Sequence, residues 1–472
     1  MRRDKYFSKN LVLFFISAFI PKILSFLLVP FYTGILSTAE YGLIDIITTT
    51  TSLCLPIFTM NMAEGVMRFT IDNKKDTRYI RFGLFVTSVG CVLVLLLFWG
   101  VSNLDLFQKI KTIWYWIPAI FIANSIYNLY QYYLRAIDKT FIMMISSCVN
   151  SIVMLASNVY MLSYLSLGIN GYLLSIVLGY SCSSIIMIIG NKLYYNSFTK
   201  NWIKKEEITE LLKYCIPTIF TALAWWVNSS LDRYFVINMC GDSANGIYSI
   251  SYKIPNILGI LQTIFIQAWT LSAIVEFDKE DKDGFFGRTY DTYNGLMVIS
   301  CSIIILLNNP LSRMLYSNEF YEARHFVPLL LESSLFSAVN GYIGSIFSAV
   351  KDTKASAYTT ILSAIINTFL NTILIPQYGI YGAATATLVA YVSAWIMRLF
   401  ISRKYIHMKI HFAREIVAYF LLTAQMIVST LSETNYLLQI IIIAVEFIVL
   451  YRCFVPNVIN KIMHIIRDRS TL

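Results

Sequence analysis

Apolar stretches of about 20 residues, the length that a bilayer-crossing helix requires, follow one another along the whole chain with only short polar breaks between them. The pattern predicts about fourteen helices, over residues 10–36, 41–66, 82–101, 113–134, 141–164, 170–190, 213–238, 247–274, 289–308, 326–350, 355–375, 380–401, 413–431 and 437–455. The fold class that follows is an all-α polytopic membrane protein.

The pattern also repeats. Ser37-Thr38-Ala39-Glu40-Tyr41-Gly42-Leu43, leading into the second span, is echoed by Asp242-Ser243-Ala244-Asn245-Gly246-Ile247-Tyr248 at the eighth. Gly168-Ile169-Asn170-Gly171, between spans five and six, returns as Gly379-Ile380-Tyr381-Gly382 between spans eleven and twelve. Arg135-Ala136-Ile137-Asp138-Lys139 is echoed by Ala349-Val350-Lys351-Asp352. These echoes predict two pseudo-repeated six-helix lobes, 1–190 and 213–403, joined by an amphipathic cytoplasmic linker at 191–212 and followed at 404–472 by two further helices and a tail. Six spans per copy give copies of parallel topology, an arrangement that places substrate near the bilayer midplane between the lobes.

Charge orients this array. With both termini inside, thirty of the 37 Lys and Arg residues fall in inner loops and ends, and only Lys109, Lys111, Arg313 and Arg324 fall outside. Such asymmetry sets the topology. It also accounts for the net charge of +10, so nucleic acid is not an expected partner. Only 14% of the residues are charged and 57% are hydrophobic, against about 25% charged in soluble domains. The basic-then-apolar N-terminus resembles a signal peptide, but its apolar run is too long and no small-residue cleavage site follows, so it reads as a retained first helix. Trp114, Tyr115 and Trp116 read as an interfacial aromatic anchor. Eight cysteines are scattered without metal-ligand spacing and read as packing residues. His407 and His411, four apart, could share a helix face but lack other ligands for a metal.

Three cations remain inside the spans: Lys22 beside Pro21, Arg233 late in the seventh span, and Lys253 two residues before Pro255. Charge within a bilayer is costly and is retained where it is used. These three are the candidate ligands for an anionic group such as phosphate, with Asp45 and Asp232 as charge partners. The two lysines could instead snorkel to the interface, and Arg233 could simply pair with its neighbour Asp232. Glu332 is a candidate carboxylate for coupling to a proton or cation. Glu64 and Arg68, four apart, could pair on one helix face. The amides at Asn150, Asn228, Gln262, Gln267, Asn367 and Asn371 read as interhelical hydrogen-bonding groups, and Glu446 is a further buried polar position.

No phosphate-binding loop, zinc-protease helix or nucleophile elbow is present, so the sequence offers no catalytic residue, no metal site and no cofactor site. The carboxylates of 276–283 alternate with lysines and read as a solvated hairpin.

Several short segments, in this order, resemble polysaccharide-repeat flippases of the Wzx type. They are Ala-Glu-Tyr-Gly at 39–42, Ala-Glu-Gly-Val-Met-Arg-Phe at 63–69, Tyr-Leu-Arg-Ala at 133–136, Leu-Leu-Lys-Tyr-Cys-Ile-Pro at 211–217, Leu-Asp-Arg-Tyr-Phe-Val at 231–236, Gly-Ile-Tyr-Ser at 246–249 and Gln-Ala-Trp at 267–269. That family shares a superfamily with multidrug MATE exporters and lipid II flippases, and the likeness covers about the first twelve spans. The resemblance implies two six-helix lobes around a central cavity plus two extra helices. It implies export of undecaprenyl-pyrophosphate-linked oligosaccharides across the bacterial plasma membrane, both termini cytoplasmic, for O-antigen or capsule, with a polysaccharide polymerase and a chain-length regulator as expected partners. The family's basic cavity carries over onto Lys22, Arg233 and Lys253. An ion-coupled drug or cation antiporter on the same fold is the alternative; it calls for a cavity of carboxylates and aromatics, and the excess of cations within these spans argues against it. A membrane polymerase would carry a sizeable outer loop, which this chain lacks. A lipid scramblase remains a third reading, because fold alone does not fix function.

Overall fold

The computed structural model describes residues 19, 21–72, 74, 76–102, 115–191, 202–275, 277–350, 352–431 and 435–450. The start of the first span, the Trp114 part of the aromatic anchor, residues 192–201 of the linker, the end of the fourteenth span and the tail lie outside the described residues. Every regular element among the described residues is helical. Seven helices are long and apolar enough to cross a membrane, and two helix pairs, bent by 61° and 54°, pass the same test together. The protein is a multi-pass, all-α membrane protein.

Contacts divide the chain into two compact units. The first runs to Ile237 and includes Gly241–Gly246. It holds α1 (Pro21–Ile35), α2 (Thr38–Phe58), α3 (Met62–Asp72), α4 (Arg78–Ser102), α5 (Trp116–Ala136), α6 (Thr140–Val159), α7 (Gly168–Asn191) and α8 (Lys205–Cys240) up to Ile237. A π turn at Tyr160–Tyr164 prolongs α6. The second comprises Asn238–Cys240 and everything from Ile247 onward. It holds the second half of α9 (Asp242–Ser251), from Ile247, then α10 (Pro255–Val275), α11 (Phe285–Leu306), α12 (Asn308–Leu315), α13 (Val327–Ala349), α14 (Thr353–Tyr378), α15 (Ile380–Ser402), α16 (Phe412–Leu431) and α17 (Tyr436–Val445).

Two predicted spans are each broken in two. The second is interrupted after α2, where Met60 and Asn61 take φ of 51° and 49° and α3 starts afresh at Met62. The eighth breaks at residues 252–254, ahead of Pro255, whose ring removes a backbone donor and clashes with the preceding turn. The seventh span begins earlier than its apolar run. Glu207 Oε2 accepts from the Lys204 backbone N–H at 2.9 Å, so the helix starts at Lys205 and absorbs the end of the expected linker. The connection at 309–325 is itself helical, as α12 and a 3₁₀ turn at Asn318–His325.

Caps and glycines set the remaining ends. Ser37 Oγ accepts from Glu40 N at 3.2 Å while Glu40 Oε2 accepts from Ser37 N at 2.9 Å, a reciprocal box that starts α2. Gly241 stops α8 at φ 94°, and Gly379 separates α14 from α15 at φ 56°, conformations open to a residue without a Cβ. In the first unit a core of Met62, Val66, Leu129, Leu134, Leu211 and Cys215 ties α3 to α5 and α8. A Cβ on Gly65 would stand 2.3 Å from Cys215 Sγ, so α3 lies against α8 at a separation only glycine permits. In the second unit α13 packs on α10, α11, α15 and α16. Its centre is an aromatic stack, with Trp269 and Tyr342 at 4.4 Å and Phe265 and Tyr293 at 3.9 Å between ring centroids.

Candidate functional site

The last third of α8 carries the charged group of the first unit. Arg233 Nε lies 3.1 Å from Asp45 Oδ2, with both side chains mostly buried. Arg233 Nη1 also donates to Ser230 Oγ, one turn earlier, at 3.2 Å. Asn245 Nδ2 donates to the Gly42 carbonyl at 3.0 Å and lies 3.5 Å from the same Asp45 oxygen. One turn further along α2, Thr50 Oγ1 and the Tyr234 hydroxyl are 2.6 Å apart, and Trp226 Nε1 donates to Thr49 O and Ser52 Oγ, both at 3.1 Å. A polar strip therefore joins α2 to α8, with one ion pair at its head. An opposite charge beside a guanidinium offsets the cost of withdrawing it from water. The pair keeps some exposure, 17% for Arg233 and 13% for Asp45.

The other sequence candidates fall elsewhere. Asp232 is buried, and its Oδ1 accepts from the backbone N–H of Arg233 at 2.9 Å. Beyond this local contact with Asp232, the Arg233 side chain pairs with Asp45. The reason is directional: adjacent residues on a helix point about 100° apart, so the guanidinium reaches across to α2. Lys22 lies exposed in the first turn of α1. Lys253 belongs to the second unit and sits in the break between α9 and α10, its backbone N–H donating to Ile250 O at 2.9 Å.

Glu332 is also in the second unit, on α13. It is 4% exposed, and its Oε1 accepts from the Thr423 hydroxyl of α16 at 2.8 Å. It belongs to a seam of buried polar contacts that α16 makes with its neighbours. Glu415 Oε2 accepts from Tyr290 at 3.2 Å, Tyr419 donates to Asn294 at 3.0 Å, and Gln425 and Ser302 exchange hydrogen bonds at 2.5 and 2.9 Å. Sequence reasoning did not single out Glu415, Tyr419 or Gln425. Their signal was available: polar residues at 415, 419, 425 and 429 recur on one helical face inside an apolar run. Arg398 was missed outright as an inner-loop cation. It is 5% exposed within α15, donating to Asn340 O at 2.6 Å, Thr359 Oγ1 at 3.1 Å and Thr360 Oγ1 at 3.0 Å.

Charges at the helix ends are used in clamps. Arg78 reaches Asp76 at 2.8 Å and Glu207 at 3.0 Å, and its hydrogen bond holds the Asp76 carboxyl below its ordinary range. Lys74 pairs with Asp138, and Lys139 Nζ donates to Asn191 Oδ1 at 2.7 Å. His407 and His411 do not share a helix face: both lie in the extended segment before α16, beside Glu280 and Asp291 respectively. Among the described residues no three His, Cys, Asp or Glu side chains converge on a metal position. Tyr115 and Trp116 both donate to Asn170 Oδ1, at 3.2 and 2.9 Å.

Known proteins with this architecture move molecules across membranes. The chain superposes on the lipid II flippase MurJ in its inward closed conformation with a TM-score of 0.70 and 15% identity, over 95% of this chain and all of that one. It superposes on an inward-facing multidrug resistance MATE family transporter with a TM-score of 0.62 and 12% identity, over 82% of this chain and 98% of that one. At these identities the likeness is one of fold. In sequence it is 27% identical to an uncharacterized membrane protein of Methanocaldococcus jannaschii over 256 residues, half of this chain and 59% of that protein. It is 19% identical to the probable low-salt glycan biosynthesis flippase Agl15 of Haloferax volcanii over 209 residues, 43% of this chain and 44% of that protein. The chain thus spans about half the length of these curated relatives. The family model described as polysaccharide biosynthesis protein matches residues 7–271, which include α2, α8 and the Asp45–Arg233 pair that joins them. With more than half of its length under that match, the chain belongs to the polysaccharide biosynthesis protein family, built on the fold of MurJ and the MATE transporters.

Proposed function

We propose that this protein is a flippase that carries undecaprenyl-pyrophosphate-linked oligosaccharide repeat units from the inner to the outer leaflet by alternating access, for assembly of a surface polysaccharide such as O-antigen or capsule. The observation that carries the reading is the Arg233–Asp45 pair inside the polar strip between α2 and α8. A guanidinium offers paired N–H donors that match the oxygens of a phosphate, and its charge is not lost at any physiological pH. Asp45 neutralises Arg233 in the absence of substrate and can be exchanged for the pyrophosphate when it arrives. Lys22 in the first unit and Lys253 in the second are the further cations assigned to the lipid pyrophosphate. Asp45 and Asp232 serve as charge partners, and Glu332 is the carboxylate assigned to ion coupling.

The relatives named above support transport of a lipid-linked glycan; with no nucleotide-binding loop in the sequence, the energy would come from an ion gradient, the membrane potential or consumption of the product outside. The lysine and arginine asymmetry supports a plasma-membrane protein with both termini in the cytoplasm. Polymerase and chain-length regulator are the partners that would consume the exported unit.

The test is reconstitution. Purified protein is placed in liposomes with a polyprenyl-pyrophosphate oligosaccharide in one leaflet, and its arrival in the other is read with an impermeant lectin. Protein-dependent flipping that Arg233→Ala abolishes is expected. Undiminished flipping by folded Arg233→Ala would remove the assigned role. Uptake of small cations in place of flipping would favour the antiporter.

A further inference from the structure

Within the second unit three carboxyl groups are buried with an oxygen left unpartnered; Glu415 has Arg414 beside it, and the other two have no cation among the described residues. Glu332 on α13 is 4% exposed; one oxygen takes the Thr423 hydroxyl, and Oε2 has no hydrogen-bond partner among the described residues. Glu446 opens the π turn Glu446–Leu450 that prolongs α17. It is fully buried beside Ser302 of α11, whose hydroxyl donates to Gln425, and neither of its oxygens makes a hydrogen bond of good geometry among the described residues. The thiol of Cys301, fully buried on α11, lies within electrostatic reach of both carboxyls. π turns inside α-helices concentrate at functional positions, because they re-aim a side chain at the expense of a regular backbone bond.

Among the described residues the surroundings supply no counter-charge to Glu332 or Glu446. Arg398 on α15 is committed to Asn340 O, Thr359 and Thr360. On α16, Arg414 pairs with Asp291 of α11 at 2.6 Å, and His411 also meets Asp291. Glu415 takes the Tyr290 hydroxyl of α11, and Tyr419 donates to Asn294. Tyr293 of α11 stacks on Phe265. α10 carries no charged residue; α14 has Lys354 in its first turn with Tyr358 and Tyr378; the 3₁₀ turn before α13 has Glu319, Glu322, Arg324 and His325. α17 contributes only Tyr436. An ionised carboxylate left in such a place is strongly disfavoured, and it neutralises by binding a cation or a proton. A metal cation would need several oxygen ligands converging on one point. A proton needs only the carboxyl oxygen.

We propose that Glu332 and Glu446 form a proton-binding site in the second unit, which takes protons from water on one side of the membrane, holds them on the carboxyl oxygens and releases them to the other. The proposal deepens the transport reading given above and rests on it for the use to which the protons are put. Thr423 and Glu332 join α16 to α13, so gain or loss of the Glu332 proton changes the contact that holds the two helices together.

Two measurements on the full chain test it. Infrared difference titration of the purified protein, without substrate, reads the C=O stretch of protonated carboxyls. The wild type should show such a band at neutral pH, Glu332→Gln and Glu446→Gln should each delete a component of it, and the double variant should delete both. In proteoliposomes, an imposed pH gradient should change the flipping rate of the wild type several-fold and that of the double variant not at all. A band unchanged in folded variants overturns the proposal, as does a band in the wild type that sodium titrates away at constant pH. Should a glutamine variant fail to fold, Glu332→Asp and Glu446→Asp keep the acid and must shift the band in place of deleting it; an unshifted band overturns the proposal equally. A titrating band in a protein that flips no polyprenyl pyrophosphate refutes the flippase reading and leaves the proton site standing.

Discussion

Gly42 and Gly246 meet in a reciprocal backbone contact: a Cβ on Gly42 would stand 2.1 Å from the Asp242 carbonyl oxygen, and one on Gly246 would stand 1.9 Å from that of Thr38. Each glycine is crowded by the residue that starts the other helix. The sequence echo between 37–43 and 242–248 thus corresponds to a packing contact. The close approach also brings Asn245 within reach of the Gly42 carbonyl and Asp45, so the glycines hold together the surroundings of the ion pair.

Alanine at either glycine forces the two backbones apart. Gly42→Ala and Gly246→Ala should each destabilise the protein by about 1–3 kcal/mol, the usual range for overpacking a close contact. Gly34→Ala is the control: nothing lies within 4 Å of a Cβ there, and alanine should be neutral or slightly stabilising. Thermal unfolding in detergent orders the three variants. Unchanged melting of Gly42→Ala would show that the crossing is looser than 2.1 Å implies.

The Asp352 carboxylate caps α14 by accepting from Lys354 N and Ala355 N, and it also takes the Tyr405 hydroxyl. The Tyr405 bond, followed by the backbone bonds, holds the Asp352 carboxyl below its ordinary value. A depressed carboxyl contributes stability that is present above its unfolded value, about 3.9, and is lost as the pH falls through the lower folded value. Tyr405, raised by the same bond, contributes below its unfolded value of about 10 and loses that contribution as the pH rises through its folded value. Asp352→Asn should therefore flatten the acid limb of the stability profile and, by taking the anion away from Tyr405, the alkaline limb as well, whereas Tyr405→Phe should flatten the alkaline limb and only part of the acid limb, because the backbone bonds to Asp352 remain. Profiles of both variants parallel to the wild type would disprove the assignment.

The all-helical, multi-pass character was legible because apolar length is a local property. The breaks at Met60–Asn61 and 252–254 were not, since hydropathy runs straight through both; Pro255 marked only the second. Asp45 and Arg233 each stood out as charges within spans, but their pairing depends on how α2 meets α8, which no local pattern reports. Arg398 escaped notice for the opposite reason. A cation near the end of an apolar run looks like an interfacial residue until packing of α13 and α14 covers it.

Arg398 separates two kinds of buried cation. Its three hydrogen bonds require a flat guanidinium, which a lysine ammonium cannot imitate. Arg398→Lys should cost about 2 kcal/mol or more, because the charge stays buried while bonds of this type, each worth about 1.5–3 kcal/mol, are lost. Arg398→Met should cost less, since Thr359 and Thr360 keep their own bonds to Ala355 O and Ser356 O and a buried charge is removed. Chemical or thermal unfolding that ranks lysine above methionine would show that the charge itself is required at this position.

Asp45 and Arg233 make opposite predictions for anion binding. In Asp45→Asn the arginine keeps its hydrogen-bonding neighbours Ser230 and Asn245 stays on Gly42, but the competing carboxylate is gone. A polyprenyl pyrophosphate then no longer displaces an internal anion. Loss of an attraction worth about 1.4 kcal/mol tightens binding about tenfold. The tighter ground state should slow release, so flipping turns over more slowly at saturating lipid while the apparent affinity rises. Arg233→Lys keeps the charge but loses the paired geometry, and should bind more weakly than wild type without the complete loss expected of Arg233→Ala. Titration with a soluble pyrophosphate lipid analogue, monitored by Trp226 fluorescence beside the site, measures all three. Weaker binding by folded Asp45→Asn would mean that the carboxylate positions Arg233 for the substrate and does not compete with it.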